Sequence, residues 1–316
     1  MIGRALPRQD PDWYTPDGLP EELLAFSSPV RDGLGVGAAG KVGLLELTLA
    51  PTKGTTRVQR QYQKAPLHIF RPIHLDAGRP DMAFVYLQQS GDGLVQGDRY
   101  RIDIDCADGA AVHLTTQAPT KVYGARDDFA TQLVNLRVGA GAVLEYLPDP
   151  IVPFRGSRLF QRTCLTVDPE ATVILGETLL PGRVAYEEAH VYDLFWAETE
   201  VHSTDGSLLF ADVLRLNPAG GENPRAAGLL AGHDVVASLY ILTNQASPGS
   251  MVPLLRSALT ACPDVLAGVT ELPNGCGTAV RLLGATSKAV EAALRTAWNT
   301  SRHQLLGIPA PNLRKG

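Results

Sequence analysis

Arg99–Cys106 reads RYRIDIDC. Tyr100, Ile102, Ile104 and Cys106 fall on one face of an extended chain, and Arg99, Arg101, Asp103 and Asp105 fall on the other. Alternation with period two marks a strand with one side in the core and one in water. Similar reading extends to Ala130–Val138 (ATQLVNLRV), Ala142–Leu147, Leu159–Val167 and Ala171–Leu180, then to His190–Thr199 and Leu208–Leu216. Turn chemistry separates several of these runs: Ala107-Asp108-Gly109, Gly139-Ala140-Gly141, Pro148-Asp149-Pro150, Asp168-Pro169-Glu170 and Pro181-Gly182. Short strands punctuated in this way predict a sandwich, barrel or coil of sheets rather than βαβ units.

Upstream, Gly33–Gly43 (GLGVGAAGKVG) is glycine-rich, but Val42–Leu49 reads as a strand and no long helical pattern follows. A dinucleotide-binding loop needs that helix, so this reading fails. Two segments near the C-terminus change period. Met251–Cys262 places Met251, Leu254, Leu255, Ala258, Leu259 and Cys262 on one helical stripe, which admits Pro253 only in the first turn. Ser287–Leu306 places Val290, Leu294, Ala297, Trp298 and Leu305 on a second stripe, with Thr286 or Ser287 as cap and Gly307 as stop. Thr278–Leu283 (TAVRLL) reads as one more strand between them. Pro7, Pro11, Pro16, Pro20 and Pro29 mark residues 1–35 as an extended arm, leaving 36–316 as a single β-rich domain.

Of the 316 residues, 45% are hydrophobic, enough for a sizeable core. With 28 basic and 33 acidic residues the formal net charge is −5, which gives no basic stripe for nucleic acid. Cys106, Cys164, Cys262 and Cys276 form no CxxC pair, and the opening MIGRALPRQDPDWY lacks the apolar run of a secretory signal. No segment approaches the ~20 apolar residues that span a bilayer. The expectation is a soluble, cytoplasmic chain with reduced thiols.

Catalytic patterns are scarce. His68, His74, His113, His190, His202, His233 and His303 form no HxH or HExxH pattern, and Glu187-Glu188 before His190 is the best local carboxylate–imidazole group. Asp103 and Asp105 fit the wet side of a strand. Glu145 differs, because Val143 and Leu147 on its face are apolar, so its carboxylate points somewhere protected. A small-molecule hydrolase using Glu145, Asp149 and His113 is the enzymatic alternative, although no reaction can be written from these groups. Leu114–Gly124 (LTTQAPTKVYG) poses a further problem: polar atoms inside a strand must meet water, a ligand or each other.

Several stretches together resemble the urease accessory proteins UreD or UreH. They are GLVQGD (Gly93–Asp98), LTTQAPTKVY (Leu114–Tyr123), GAGAVLEYLPDPIVPFRGSRLFQ (Gly139–Gln161) and PGR (Pro181–Arg183). APLHIFRP (Ala65–Pro72) and the closing WNTSRHQLLG (Trp298–Gly307) are similar to the family's flanks. The likeness is strongest over residues 90–185, where separate blocks stand in register. Three positions depart from the pattern: Asp92 replaces a glycine, Pro119 an alanine, and Glu187 a glycine.

The resemblance implies a mainly β fold of β-helix-like stacked sheets with two helices near the C-terminus. It implies no catalysis and no permanently bound cofactor, with nickel in transit. The implied partners are apo-urease, UreF and, through UreF, UreG, with no nucleic acid and no membrane. A conduit for a divalent cation needs oxygen-rich walls and weak sites, because a tight His/Cys cage would trap the ion. Asp98, Thr115, Thr116, Glu145, Asp149, Glu177 and Glu188 are the pool from which such a lining is expected. An adaptor that passes no metal is the other alternative.

Overall fold

In the computed structural model, which describes Arg8 and residues 11–27, 40–313 and 315, burial alternates residue by residue along Arg99–Cys106. Five strands pair in parallel, in the order Val42–Thr52, Arg99–Cys106, Ala130–Val138, Arg158–Val167 and Leu194–Ser203. Thr55–Lys64 and Leu208–Leu216 close the two ends antiparallel, giving a seven-stranded front sheet. A second, ten-stranded back sheet is built on parallel Ala83–Gln89, Ala111–Thr116, Val143–Tyr146 and Thr172–Leu179. Val235–Leu242, Gly277–Gly284 and Val265–Glu271 extend it antiparallel.

From residue 83 to 203 the chain alternates between back and front sheets. Parallel neighbours require a crossover, and here each crossover is a strand of the opposite sheet. The result is the stacked, β-solenoid-like fold with two C-terminal helices that the strand spacing and the family resemblance anticipate. Register turns alternation into rows. Leu47, Ile104, Leu136, Leu165 and Val201 lie in register across the front sheet, and all are buried. They meet Val112, Leu114, Leu144 and Tyr146 of the back sheet in one apolar core. Glu46, Asp103, Asn135, Cys164 and Glu200 form the matching outer row.

The other face of the back sheet is covered by helices Pro248–Leu259 and Ser287–Leu306. Thr286 caps the second by accepting from the Ala289 N–H at 3.3 Å, and Gly307 ends it at φ 69°. The first helix begins earlier than its hydrophobic stripe indicates. Ser247 is its cap, so Pro253 lies in the second turn, where the missing N–H leaves the Gly249 carbonyl without a helical partner. Leu254, placed on the stripe from sequence, is exposed, and Val252 is buried instead.

Near the N-terminus, Pro11–Tyr14 and Glu21–Leu24 form short helical turns rather than a fully extended arm. Leu23 packs with Phe129, Phe160 and Leu194, and Arg101 stacks over Trp13 at 4.0 Å. Residues 1–7, 9–10 and 28–39 lie outside the described part, including most of the glycine-rich stretch. All four cysteines are free, and burial pushes the Cys106 thiol up to about 12. No helix among the described residues is long and apolar enough to cross a membrane.

Candidate functional site

Alternation along Ala111–Thr116 predicts one dry and one wet face, but His113 and Thr115 are buried as well as Val112 and Leu114. The second face is dry because the closing helix covers it. There His113 Nδ1 lies 2.8 Å from Glu145 Oε2, and the ring sits between Phe84 at 4.9 Å and Trp298 at 5.4 Å. Arg302 reaches in from the helix, 3.3 Å from the same Glu145 oxygen, and also pairs with Asp76. The side chains of His113, Glu145 and Arg302 are 0% exposed. Among the described residues, His113 Nε2, Glu145 Oε1, Trp298 Nε1 and Arg302 Nε have no hydrogen-bond partner.

This is a closed ion-pair network. A substrate has no path to a carboxylate and imidazole without exposed surface, so the geometry gives no support to hydrolysis by His113 and Glu145. Asp149, the third member of that alternative, is engaged elsewhere. Lys315 Nζ donates to Asp149 Oδ1 at 2.8 Å and to Thr115 Oγ1 at 2.7 Å. Thr115 in turn donates to the Leu147 carbonyl, and Thr116 both donates to the Asp149 carboxylate and accepts from its N–H. The threonines of the LTTQAPTKVYG stretch therefore tie neighbouring strands and the C-terminal segment together.

Asp98 and Glu188 are also held by local partners. Asp98 accepts from the Lys41 and Val95 N–H groups and from the Tyr100 hydroxyl, and burial pushes its carboxyl upward. Glu188 receives a two-pronged contact from Arg183 at 2.7 and 2.8 Å, which holds its carboxyl below the usual range.

Glu177 is different. It points between the sheets, in a row with buried Val173, Leu175 and Leu179. Its Oε1 accepts from Thr199 Oγ1 at 2.8 Å, across the gap to the front sheet. Although deep among protein atoms, it keeps part of its surface open because it borders a cavity of about 10 Å³, room for about one water. Ser238 and Arg281 of the back sheet and Asp212 of the front sheet line the same cavity. Asp212 accepts from both the Tyr240 hydroxyl and the Arg281 guanidinium. Burial pushes the Glu177 carboxyl up, against the lowering effect of the Thr199 hydrogen bond.

The seven residues chosen from sequence thus do not line one surface. Thr115, Thr116 and Asp149 meet around Lys315, Glu145 joins Arg302, and Glu177 alone reaches the cavity between the sheets. Sequence reading passed over Asp76, Arg302 and Lys315, and also Thr199, Asp212, Ser238, Tyr240 and Arg281. A signal existed for two of them. Asp212 alternates with buried Phe210 and Leu216, and Arg281 with core-packed Ala279 and Leu283, so each charge occupies an inward position. Among the described residues, no group of three His, Cys, Asp or Glu side chains is placed to hold a metal ion.

A family model described as UreD urease accessory protein matches residues 41–316. Urease accessory protein UreD 2 of Streptomyces griseus is 41% identical over 293 residues, covering 92% of this chain and 100% of that protein. The UreD proteins of Cenarchaeum symbiosum and Haloarcula marismortui are 33% and 35% identical, each over 89% of this chain and over 99% and 92% of their own lengths. The chain belongs to the UreD family.

The departures from the UreD pattern now have a physical account. Asp92 and Glu187 each take a glycine-like backbone at φ 58°, so the turns keep a left-handed conformation at these positions despite the side chains. Asp92 uses its carboxylate to accept from Lys121 at 2.6 Å and Tyr123 at 2.9 Å. Pro119 falls between strands Ala111–Thr116 and Thr120–Val122, outside either ladder. Within the PGR motif, Gly182 has φ 129°, and a Cβ there would lie 2.1 Å from the Glu188 carbonyl oxygen. Only glycine fits.

Proposed function

We propose that this chain is a urease maturation factor. It docks on apo-urease in the cytoplasm, recruits UreF and through it UreG, and conducts nickel toward the urease active site. Its family is the support for the urease role, since relatives matching nearly the whole chain are named urease accessory proteins. The observation that carries the conduit is the small cavity between the sheets, bordered by two carboxylates among mostly apolar side chains. Glu177, Asp212 and Ser238 border it with carboxylate and hydroxyl oxygens, and Thr199 bonds Glu177 from the front sheet. Apolar side chains alone would pack this space more stably. Two carboxylates from opposite sheets, with hydroxyls between, give a divalent cation ligands that are hard but too few to retain it.

The test uses Glu177→Gln, which keeps the shape and removes the charge. Co-expressed with urease, UreF and UreG, this variant is expected to co-purify with its partners while the urease carries less nickel. Normal nickel content would remove Glu177 from the path. Loss of co-purification would instead assign the residue to assembly, and the adaptor reading would then gain ground.

A further inference from the structure

We infer that Arg281 is a cationic latch on this cavity, its guanidinium holding the place that a divalent cation takes between Asp212 and Glu177. The inference rests on the conduit reading and adds to it how the path is closed at rest. Asp212 belongs to the edge strand of the front sheet and Arg281 to a strand of the back sheet, so their ion pair spans the gap between the sheets. Their side chains are 31% and 38% exposed, whereas Glu177 lies behind them. The pair therefore stands at the mouth. An arginine keeps its charge at any physiological pH, so protonation cannot open this closure. Withdrawal of the side chain can, and a pair this exposed is screened by solvent and held weakly.

Charge counting favours an exchange. Glu177 faces Thr199 and Asp212 from the front sheet and Tyr146, Tyr240 and Arg281 from the back sheet. In the closed cluster one guanidinium stands against the carboxylates of Asp212 and Glu177. With the guanidinium swung out and both carboxylates ionised, a divalent ion restores neutrality. While Arg281 stays in place, an arriving cation meets a like charge at the mouth.

The experiment titrates nickel ion alone into the purified full chain and follows binding by calorimetry. Arg281→Met is expected to bind nickel about tenfold more tightly than the parent. Arg281→Lys, which keeps the charge, should stay near the parent, and Arg281→Met with Glu177→Gln should lose the gain. Equal or weaker binding by Arg281→Met overturns the latch, as does a gain that survives removal of the Glu177 charge. If Arg281→Met does not fold, Arg281→Gln takes its place with the same outcomes. Failure of the latch is separable from failure of the conduit. Reduced nickel in urease matured by Glu177→Gln, with no gain in Arg281→Met, leaves the conduit and removes the latch. Normal nickel in the Glu177 variant removes Glu177 from the path whatever Arg281 does.

Discussion

Glu145 and Glu177 stand on adjacent strands of the same sheet, yet one faces the closing helix and the other the gap between the sheets. Around Glu145 the closure is complete: Arg302 is wholly buried, and aromatic rings flank His113. Around Glu177 a cavity remains, and the arginine at its mouth is partly in water. Both carboxylates are flanked by apolar positions on their faces, so the neighbours brought in from elsewhere separate a closed ion pair from a carboxylate beside a cavity. Buried against a cation that the closing helix brings in, a carboxylate specifies how that helix docks. Beside a cavity, with a partly exposed counter-charge near it, a carboxylate is the group on which the proposed passage rests.

The largest expected effect is on the closed side. Arg302→Met leaves Glu145 and Asp76 buried without a cation, and should cost about 3–5 kcal/mol in chemical denaturation. Glu145→Gln keeps the shape and loses the charge, and should cost about 1–3 kcal/mol by the same measurement. If either substitution proves neutral, the two clusters do not differ as described.

On the open side the sign reverses. Burial raises the Glu177 pKa in the folded chain, so the stability it contributes is complete below its unfolded pKa and is lost as pH rises through the folded one. Glu177→Gln should therefore melt higher than the parent at neutral pH, with the gap closing toward acid. A gap that widens in acid would show that the carboxylate is stabilised as an anion. The smallest effect belongs to Lys315→Ala. Its pair with Asp149 is partly exposed, and its loss should cost no more than about 1 kcal/mol in the same denaturation series.

Alternation made the front sheet legible: Ala130–Val138 and Leu208–Leu216 have the limits read from their residues. Other strands carry no such pattern. Val235–Leu242 is buried at every position, because helices lie on one side and the front sheet on the other. Thr55–Lys64 is an edge strand with mostly exposed side chains, and its sequence TTRVQRQYQK has no apolar face to reveal it. His190–Leu194 departs from an extended strand because His190 takes φ 57° and bonds Asp234 at 3.1 Å. The site was less legible than the fold. Glu177 could be chosen from its strand, but Thr199, Asp212 and Arg281 reach it through tertiary pairing across a sheet gap. Likewise nothing local to WNTSRHQLLG shows that Arg302 finds Asp76, which lies 226 residues earlier.

The most direct test compares the two sides of the back sheet in one assay: nickel per urease active site after co-expression with UreF and UreG. Ser238→Leu fills the cavity between the sheets, and Thr115→Val alters the helix-covered side by one hydroxyl. The account predicts that Ser238→Leu keeps the partners bound while urease receives little nickel, and that Thr115→Val leaves loading unchanged. Full loading with a filled cavity, in a complex that assembles normally, would contradict passage between the sheets.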